Sequence, residues 1–168
     1  LIEASKQTNI EPSIIGLHNL VNPYTKYHVD KSFNYFDNLK MIFIDRDPRD
    51  IFIDFPHKRY LPNDSTSFEK AICFVDFFRV LRAEIKNFKN YDNVLFINFE
   101  EFILNHEEIK KTLENFLGIN FLSNINSYKY FSPNKSIKNI GKYKHHKAKN
   151  LEAFNYIEQE LTQYLFEN

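Results

Sequence analysis

The feature that most constrains the fold is a short apolar run followed at once by a dense cluster of charges. Residues 41–44 read Met-Ile-Phe-Ile, and such a run is typical of a strand buried on both faces of a parallel sheet. The next residues read Asp45-Arg46-Asp47-Pro48-Arg49-Asp50. Pro48 suits the first position of a helix, because its fixed φ is already helical and its missing N–H costs nothing there. Asp47 is then the predicted N-cap.

This strand-turn-helix order places Arg46 at the carboxyl end of a strand and beside a helix N-terminus. Open α/β sheets bind their ligands at that end of their strands, and helix N-termini favour anions. Arg46 is therefore a candidate anion-binding residue. The alternative interpretation is a solvated turn in which the arginines and carboxylates pair only with one another.

The composition bounds the class of protein. The chain has 168 residues, of which 43% are hydrophobic and 26% charged, and we expect one globular α/β domain. Lys plus Arg equals Asp plus Glu at 22 each, so an anion site must be local, and we expect no nucleic-acid partner. No run reaches the ~20 apolar residues of a spanning helix. The single cysteine, Cys73, excludes an internal disulfide and fits a reducing, cytoplasmic setting.

The remaining pattern predicts a second strand and three further helices. The strand is Asn93–Phe99, and helices are predicted from Ser67 as N-cap to about Lys89, from Asn105 as N-cap to a stop at Gly118, and from Asn150 onward. We therefore predict an α/β fold with a parallel sheet flanked by helices. Residues 1–30 indicate short helices or loops, and Ser32–Leu39 a short amphipathic helix.

A lysine-rich segment comes late in the chain. Residues 135–144 include four lysines and one glycine, which predicts a flexible cationic loop able to wrap an anion. The alternative is a solvated basic loop with no ligand.

Over roughly residues 38–166 this order of elements resembles the C-terminal part of the sulfotransferases that use 3′-phosphoadenosine 5′-phosphosulfate. It is most like the bacterial branch that sulfates carbohydrates such as capsular polysaccharide. Arg46–Asp50 is similar to the family's 3′-phosphate motif, and Phe99–Phe102 to its aromatic-Glu-acidic-Leu element. Lys138–Lys144 is similar to its late Gly-aromatic-Lys loop, with Tyr143 where Trp is more usual.

The resemblance implies a P-loop-containing, three-layer architecture and transfer of a sulfuryl group to a hydroxyl or amine of a carbohydrate. The donor would leave as 3′-phosphoadenosine 5′-phosphate, and no metal is implied. The implied nucleotide-binding residues are Arg46, Asp54, Lys135, Ser136, Lys138, Asn139, Gly141 and Lys142. A guanidinium suits a 3′-phosphate because it offers two parallel N–H bonds. Arg49 is expected to be structural.

The chain departs from the family pattern in two places. A serine eight positions after the motif's arginine commonly contacts the 3′-phosphate; here that position is Asp54, which would repel a phosphate unless it is turned away or engaged by a lysine. The family's Gly- and Ser/Thr-rich phosphosulfate loop has no counterpart, since glycines stand only at 16, 118 and 141. We therefore expect the first strand and that loop to be absent from these residues, and this chain alone to be unable to hold the donor correctly.

The general base on the acceptor side is left open, with His18, His28, His57 and Asp54 as candidates. The acceptor and the oligomeric state are left open too. Two alternatives to an enzyme remain. One is a non-catalytic remnant or interaction module that keeps the fold and at most the 3′-phosphate site. The other is a different nucleotide-handling α/β protein that shares only the strand-Arg-Asp-Pro turn.

Overall fold

The computed structural model describes residues 38–85, 91–120 and 132–167. The predictions for residues 1–30 lie outside the described part, as does nearly all of the helix predicted at Ser32–Leu39. In chain order the elements are β1 (Met41–Asp45), α1 (Pro48–Asp54), α2 (Ser67–Ile85), β2 (Val94–Asn98), α3 (Phe99–Leu104), α4 (His106–Leu117), α5 (Pro133–Ser136), α6 (Lys144–Lys147) and α7 (Leu151–Glu160). Short 3₁₀ turns lie at His57–Arg59, Ile137–Asn139 and Thr162–Tyr164.

The two strands form a small parallel sheet. Met41 lies opposite Val94 and Asp45 opposite Asn98, so both strands end at the same edge. The connection from one strand to the other contains α1 and α2, as parallel pairing requires. The predicted helix-rich α/β fold with a parallel sheet is therefore confirmed.

One part of the strand prediction is wrong. Ile42 and Ile44 are 39% and 65% exposed, so β1 is not buried on both faces. Successive side chains of a strand point to opposite faces, and no described element covers the face that carries these two residues. A run of four apolar residues indicates a strand but cannot show how many of its faces are covered.

The core lies where α2 packs against α7, with α1 against both. Its centre is formed by residues with at most 1% exposure: Ala71, Phe74, Val75, Ala153, Phe154, Ile157 and Leu161. Phe52 of α1 joins this core through an edge-on contact with Phe154, with ring centroids 5.6 Å apart. The predicted closing helix is thus confirmed, although Leu151 in its first turn is 54% exposed.

The start of α2 differs from the prediction by one residue. Thr66, not Ser67, caps the helix: its hydroxyl accepts from the backbone N–H of Glu69 at 3.2 Å, while Glu69 Oε2 accepts from the Thr66 N–H at 2.7 Å. This reciprocal pair is a capping box. The Ser67 hydroxyl instead lies 2.5 Å from Asn150 Oδ1, just before α7, and so joins the two helices of the core.

The predicted N-cap positions at Asn105 and Asn150 and the stop at Gly118 are confirmed, the predicted end of α2 near Lys89 lies outside the described residues, and one helix is added. Gly118 ends α4 in the left-handed region at φ 72°, and Asn105 stands at the N-cap position but makes no side-chain capping bond. The addition is α3, which begins at Phe99, where the sequence predicted the end of a strand. Asn98 Oδ1 accepts from the N–H groups of Glu100 and Glu101 at 3.0 and 3.2 Å, and so caps a helix that begins directly after the strand.

Across the described residues, no helix is long and apolar enough to cross a bilayer.

Candidate functional site

The turn between β1 and α1 places Arg46 as the sequence predicts. Asp47 is the N-cap, and its carboxylate accepts from the Arg49 N–H at 2.8 Å. Pro48 begins the helix. The Arg46 N–H donates to Asp45 Oδ1 at 2.8 Å. Arg46 therefore lies between the carboxyl end of the strand and the first turn of α1.

Asp50 brings the lysine-rich segment to this turn. Its side chain is fully buried and accepts hydrogen bonds from the backbone N–H groups of Gly141 at 2.8 Å and Tyr143 at 2.7 Å. Hydrogen bonds to a buried carboxylate are strong. One carboxylate of α1 thus fixes the backbone of residues 141–143 beside Arg46.

The segment at 135–144 is not the loop that the sequence predicts. It consists of α5, a 3₁₀ turn at Ile137–Asn139 and a turn leading into α6. Pro133 stands in the first turn of α5, and Gly141 takes a left-handed φ of 69°, which glycine adopts at low cost. These local features, together with the two bonds to Asp50, give the segment a defined helical-turn conformation.

Arg46 reaches across to this segment. Its Nη2 donates to the Asn139 carbonyl oxygen at 2.8 Å, and its guanidinium lies 5.3 Å from the centroid of the Phe99 ring. The Arg46 side chain is 21% exposed. Its Nε is buried and has no hydrogen-bond partner among the described residues. Arg46 is therefore held in place from two sides while part of the guanidinium remains accessible.

A single carboxylate connects Arg46 to a lysine. Asp54 Oδ2 lies 3.5 Å from Arg46 Nη1, and Asp54 Oδ1 accepts from Lys142 Nζ at 2.9 Å. The hydrogen bond from Lys142 is the main cause of a lowered pKa of Asp54, and the charge of Arg46 adds to it. Asp54 is therefore engaged by a lysine. This is one of the two arrangements in which, by the sequence analysis, a carboxylate at this position would not simply repel a phosphate.

The predicted nucleotide-binding residues divide into two groups. Arg46, Asp54 and Lys142 meet through their side chains, whereas Asn139 and Gly141 take part through backbone atoms. The second group, Lys135, Ser136 and Lys138, belongs to the neighbouring helical turns. Lys135 and Lys138 are exposed, and within the described residues no side chain of this group pairs with Arg46 or Asp54.

Arg49, expected to be structural, is used for internal packing. Its guanidinium donates to both oxygens of Asp47 and to Glu158 Oε1 at 3.2 Å, and it stacks on the Tyr143 ring at 4.1 Å. Burial acts to lower the pKa of Arg49, but the hydrogen bonds to these two carboxylates outweigh it and raise the pKa. This arginine therefore joins α1, α7 and the 141–143 turn.

Sequence reasoning missed the role of Glu100. Its side chain is fully buried, and its Oε1 accepts from the Asp47 N–H at 2.9 Å. Its Oε2 is buried without a hydrogen-bond partner in the described part of the chain. Burial raises the pKa of this carboxyl. The sequence signal that could have found this role is the position of Glu100 just after β2. The ends of β1 and β2 lie at the same edge of the sheet.

The candidate bases that can be assessed do not suit the task. His57 Nε2 is 3.0 Å from the Phe52 carbonyl oxygen, and the ring packs edge-on against Phe52 and Phe55. Burial lowers the pKa of His57. The lowered pKa of Asp54 makes it a weaker base as well. His18 and His28 lie outside the described residues.

Comparison with known proteins gives one match. A family model described as a sulfotransferase domain matches residues 18–164. No curated protein matches the chain, and no solved structure matches it.

Proposed function

The chain belongs to the sulfotransferase domain family, and from that premise we propose that it transfers a sulfuryl group from 3′-phosphoadenosine 5′-phosphosulfate to a hydroxyl or amine of a carbohydrate acceptor. The observation that carries the proposal is the convergence of Arg46 and Lys142 on one carboxylate, at 3.5 and 2.9 Å. Two cations placed around one anionic group, with Arg46 at the carboxyl end of β1, suit the 3′-phosphate of the donor.

The fit to a phosphate rests on the donors that Arg46 can offer. One of its terminal nitrogens is occupied by the Asn139 carbonyl at 2.8 Å, which fixes the plane of the guanidinium. The other, Nη1, faces the partly exposed Asp54 at 3.5 Å, which is long for a hydrogen bond. Nη1 is thus available to an anion that binds more closely. Lys142 supplies a second positive charge at the other oxygen of the Asp54 carboxylate.

Exposure distinguishes this cluster from a structural ion pair. The side chains of Arg46, Lys142 and Asp54 are 21%, 37% and 53% exposed. Exposed pairs contribute only about 0–1 kcal/mol to stability, so stability is a weak reason for this arrangement. The neighbouring Arg49, whose side chain is 11% exposed, makes the structural pairs instead.

For sulfuryl transfer, the protein has to position the donor and the acceptor and need not form a covalent bond to either. The bound donor supplies an activated sulfuryl group, and transfer needs an in-line acceptor oxygen or nitrogen. The residues of this chain would bind and orient the nucleotide: Arg46 through the N–H groups of Nη1, and Lys142 as a point charge. Neither His57 nor Asp54 is assigned as the base, for the reasons of packing and pKa given above.

A calorimetric titration tests the nucleotide site. We expect the protein to bind 3′-phosphoadenosine 5′-phosphate more tightly than ADP, which lacks the 3′-phosphate. Arg46→Ala should weaken binding of the first ligand by roughly 10- to 150-fold, since a hydrogen bond to a charged group contributes about 1.5–3 kcal/mol. Arg79→Ala is the matched control, because Arg79 is exposed and pairs with Glu160 on α7. Equal affinity for both nucleotides, or an unchanged Arg46→Ala, would contradict the proposal.

The acceptor class needs a separate assay. With a donor labelled in its sulfuryl group, the full-length protein should transfer the label to polysaccharides or oligosaccharides in preference to simple phenols. Transfer to phenols alone would retain the sulfotransferase function but refute the carbohydrate acceptor. Arg46→Ala should abolish transfer to either class.

A further inference from the structure

We propose that Asp54 limits the affinity of the nucleotide site for a 3′-phosphate by acting as an internal competitor. Its carboxylate occupies the anion position between Arg46 and Lys142, so a phosphate must displace it to bind. This inference rests on the proposed function, since it concerns the same site. It adds that the site already holds an anion, supplied by the chain itself.

The geometry favours displacement over joint binding. The two carboxylate oxygens are divided between the cations: Oδ2 faces Arg46 Nη1 at 3.5 Å, and Oδ1 accepts from Lys142 Nζ at 2.9 Å. A phosphate that binds both nitrogens with two of its oxygens needs the same space. It would also meet a like charge at close range, which is strongly unfavourable. Phosphate and the Asp54 carboxylate therefore exclude each other from this position.

The charges of the cluster make Asp54 the group that decides whether a phosphate can occupy the anion position. Arg46 and Lys142 are positive, and Asp50 and Asp54 are negative, so with Asp54 in place the cluster is neutral. Asp50 Oδ2 lies 3.8 Å from Arg46 Nη2, but this carboxylate is fully buried and bound to two backbone N–H groups. Its charge is therefore fixed in position, whereas Asp54 is able to leave.

Asp54 is held loosely enough for this exchange. It is the last residue of α1 and 53% exposed, so rotation of its side chain moves the carboxylate into water. A negative charge at the C-terminal end of a helix gains nothing from the helix itself, and the two cations are what retain it. Their loss to a ligand leaves Asp54 solvated, not buried and unpaired.

The test uses two substitutions at Asp54 and a charge-matched control. Asp54→Asn and Asp54→Ser remove the carboxylate and leave Arg46 and Lys142 in place. Asp76→Asn makes the same change of charge at an exposed residue of α2 that has no ion pair among the described residues. Affinity for 3′-phosphoadenosine 5′-phosphate and for ADP is measured by calorimetry for each protein.

We expect both Asp54 variants to bind the 3′-phosphorylated nucleotide roughly 2- to 30-fold more tightly than the parent, which corresponds to about 0.2–1 kcal/mol for each of the two exposed ion pairs. Their affinity for ADP should equal that of the parent. Asp76→Asn should bind both nucleotides with the affinity of the parent. Unchanged or weaker binding by both Asp54 variants, while the parent binds in an Arg46-dependent way, overturns this inference and leaves the proposed function intact. Binding by no protein overturns both. Binding by the Asp54 variants alone supports this inference but contradicts the proposed function, because the parent would then not bind the nucleotide.

Discussion

Asp50 offers the sharpest test of how the site is built. The substitution Asp50→Ala removes a fully buried carboxylate and the two bonds that it accepts from the Gly141 and Tyr143 N–H groups at 2.8 and 2.7 Å. A hydrogen bond to a charged group contributes about 1.5–3 kcal/mol, so the free energy of unfolding should fall by about 3–6 kcal/mol. No discount for solvent screening applies, because the carboxylate is not exposed to solvent.

Asp50→Asn gives a graded control for the same site. The amide keeps one acceptor oxygen but turns an NH₂ donor toward the other backbone N–H, so we expect about half of the loss. Asp76→Ala on the exposed side of α2 should change stability by less than about 0.5 kcal/mol. Urea unfolding followed by circular dichroism measures all three values.

The same variants separate folding from binding. If Asp50 fixes the 141–143 turn, Asp50→Asn should weaken binding of 3′-phosphoadenosine 5′-phosphate under conditions where it is still folded, because Lys142 is no longer held beside Arg46. A loss of less than about 1 kcal/mol for Asp50→Ala would show that other contacts hold the segment. Asp50 would then not be the residue that holds the 141–143 turn beside Arg46.

Two further predictions concern the groups behind the site. Burial raises the pKa of Glu100 above 4.5, so the stability that it contributes is complete below about pH 4.5 and is lost as pH rises through the raised pKa. Glu100→Gln, which does not ionise, should therefore gain stability relative to the parent as pH rises above about 4.5 in urea titrations, and a difference that does not vary with pH would contradict this. Phe154→Ala should lower the free energy of unfolding by about 3–5 kcal/mol, because Phe154 is 1% exposed. Leu151→Ala on the same helix, where the side chain is 54% exposed, should lower it far less. Equal losses would refute the assignment of the core.

The elements of the fold were predictable where the signal is local. The apolar runs that became β1 and β2, the Asp47-Pro48 start of α1 and the Gly118 end of α4 all depend on neighbours within a few residues. The exposed face of β1 was not predictable, because cover is a property of the sheet and not of the strand. The cap of α2 was misplaced by one residue although a local signal distinguishes the candidates: Glu69 stands three residues after Thr66 and completes a capping box, whereas Lys70 stands three residues after Ser67.

The position of Arg46 between β1 and α1 was predictable, but the long-range contacts around it were not. The lysine-rich segment looked like a loop because the carboxylate that orders it, Asp50, is 91 residues away from Gly141 along the chain. Glu100 belongs to the Phe99–Phe102 motif, but the group that its buried carboxylate binds, the Asp47 N–H, is 53 residues away along the chain. A local pattern can draw attention to such residues, but long-range hydrogen bonds decide what they contact.

The Arg-Asp-Pro-Arg-Asp motif divides its work between structure and ligand. Asp47 caps α1, Arg49 joins α1 to α7, and Asp50 anchors the 141–143 turn. Only Arg46 has a guanidinium that faces the accessible anion position.

The presence of this motif is therefore mainly a requirement of the architecture, and a chain that keeps it can keep the fold with or without activity. The enzyme and the non-catalytic alternative differ at Arg46, Lys142 and Asp54. If the parent binds the 3′-phosphorylated nucleotide and releasing Asp54 strengthens that binding, these three residues form a working ligand site. If Asp54 instead remains paired whatever nucleotide is offered, the same three residues are one more ion-pair cluster of the scaffold, and the interaction-module alternative gains the advantage.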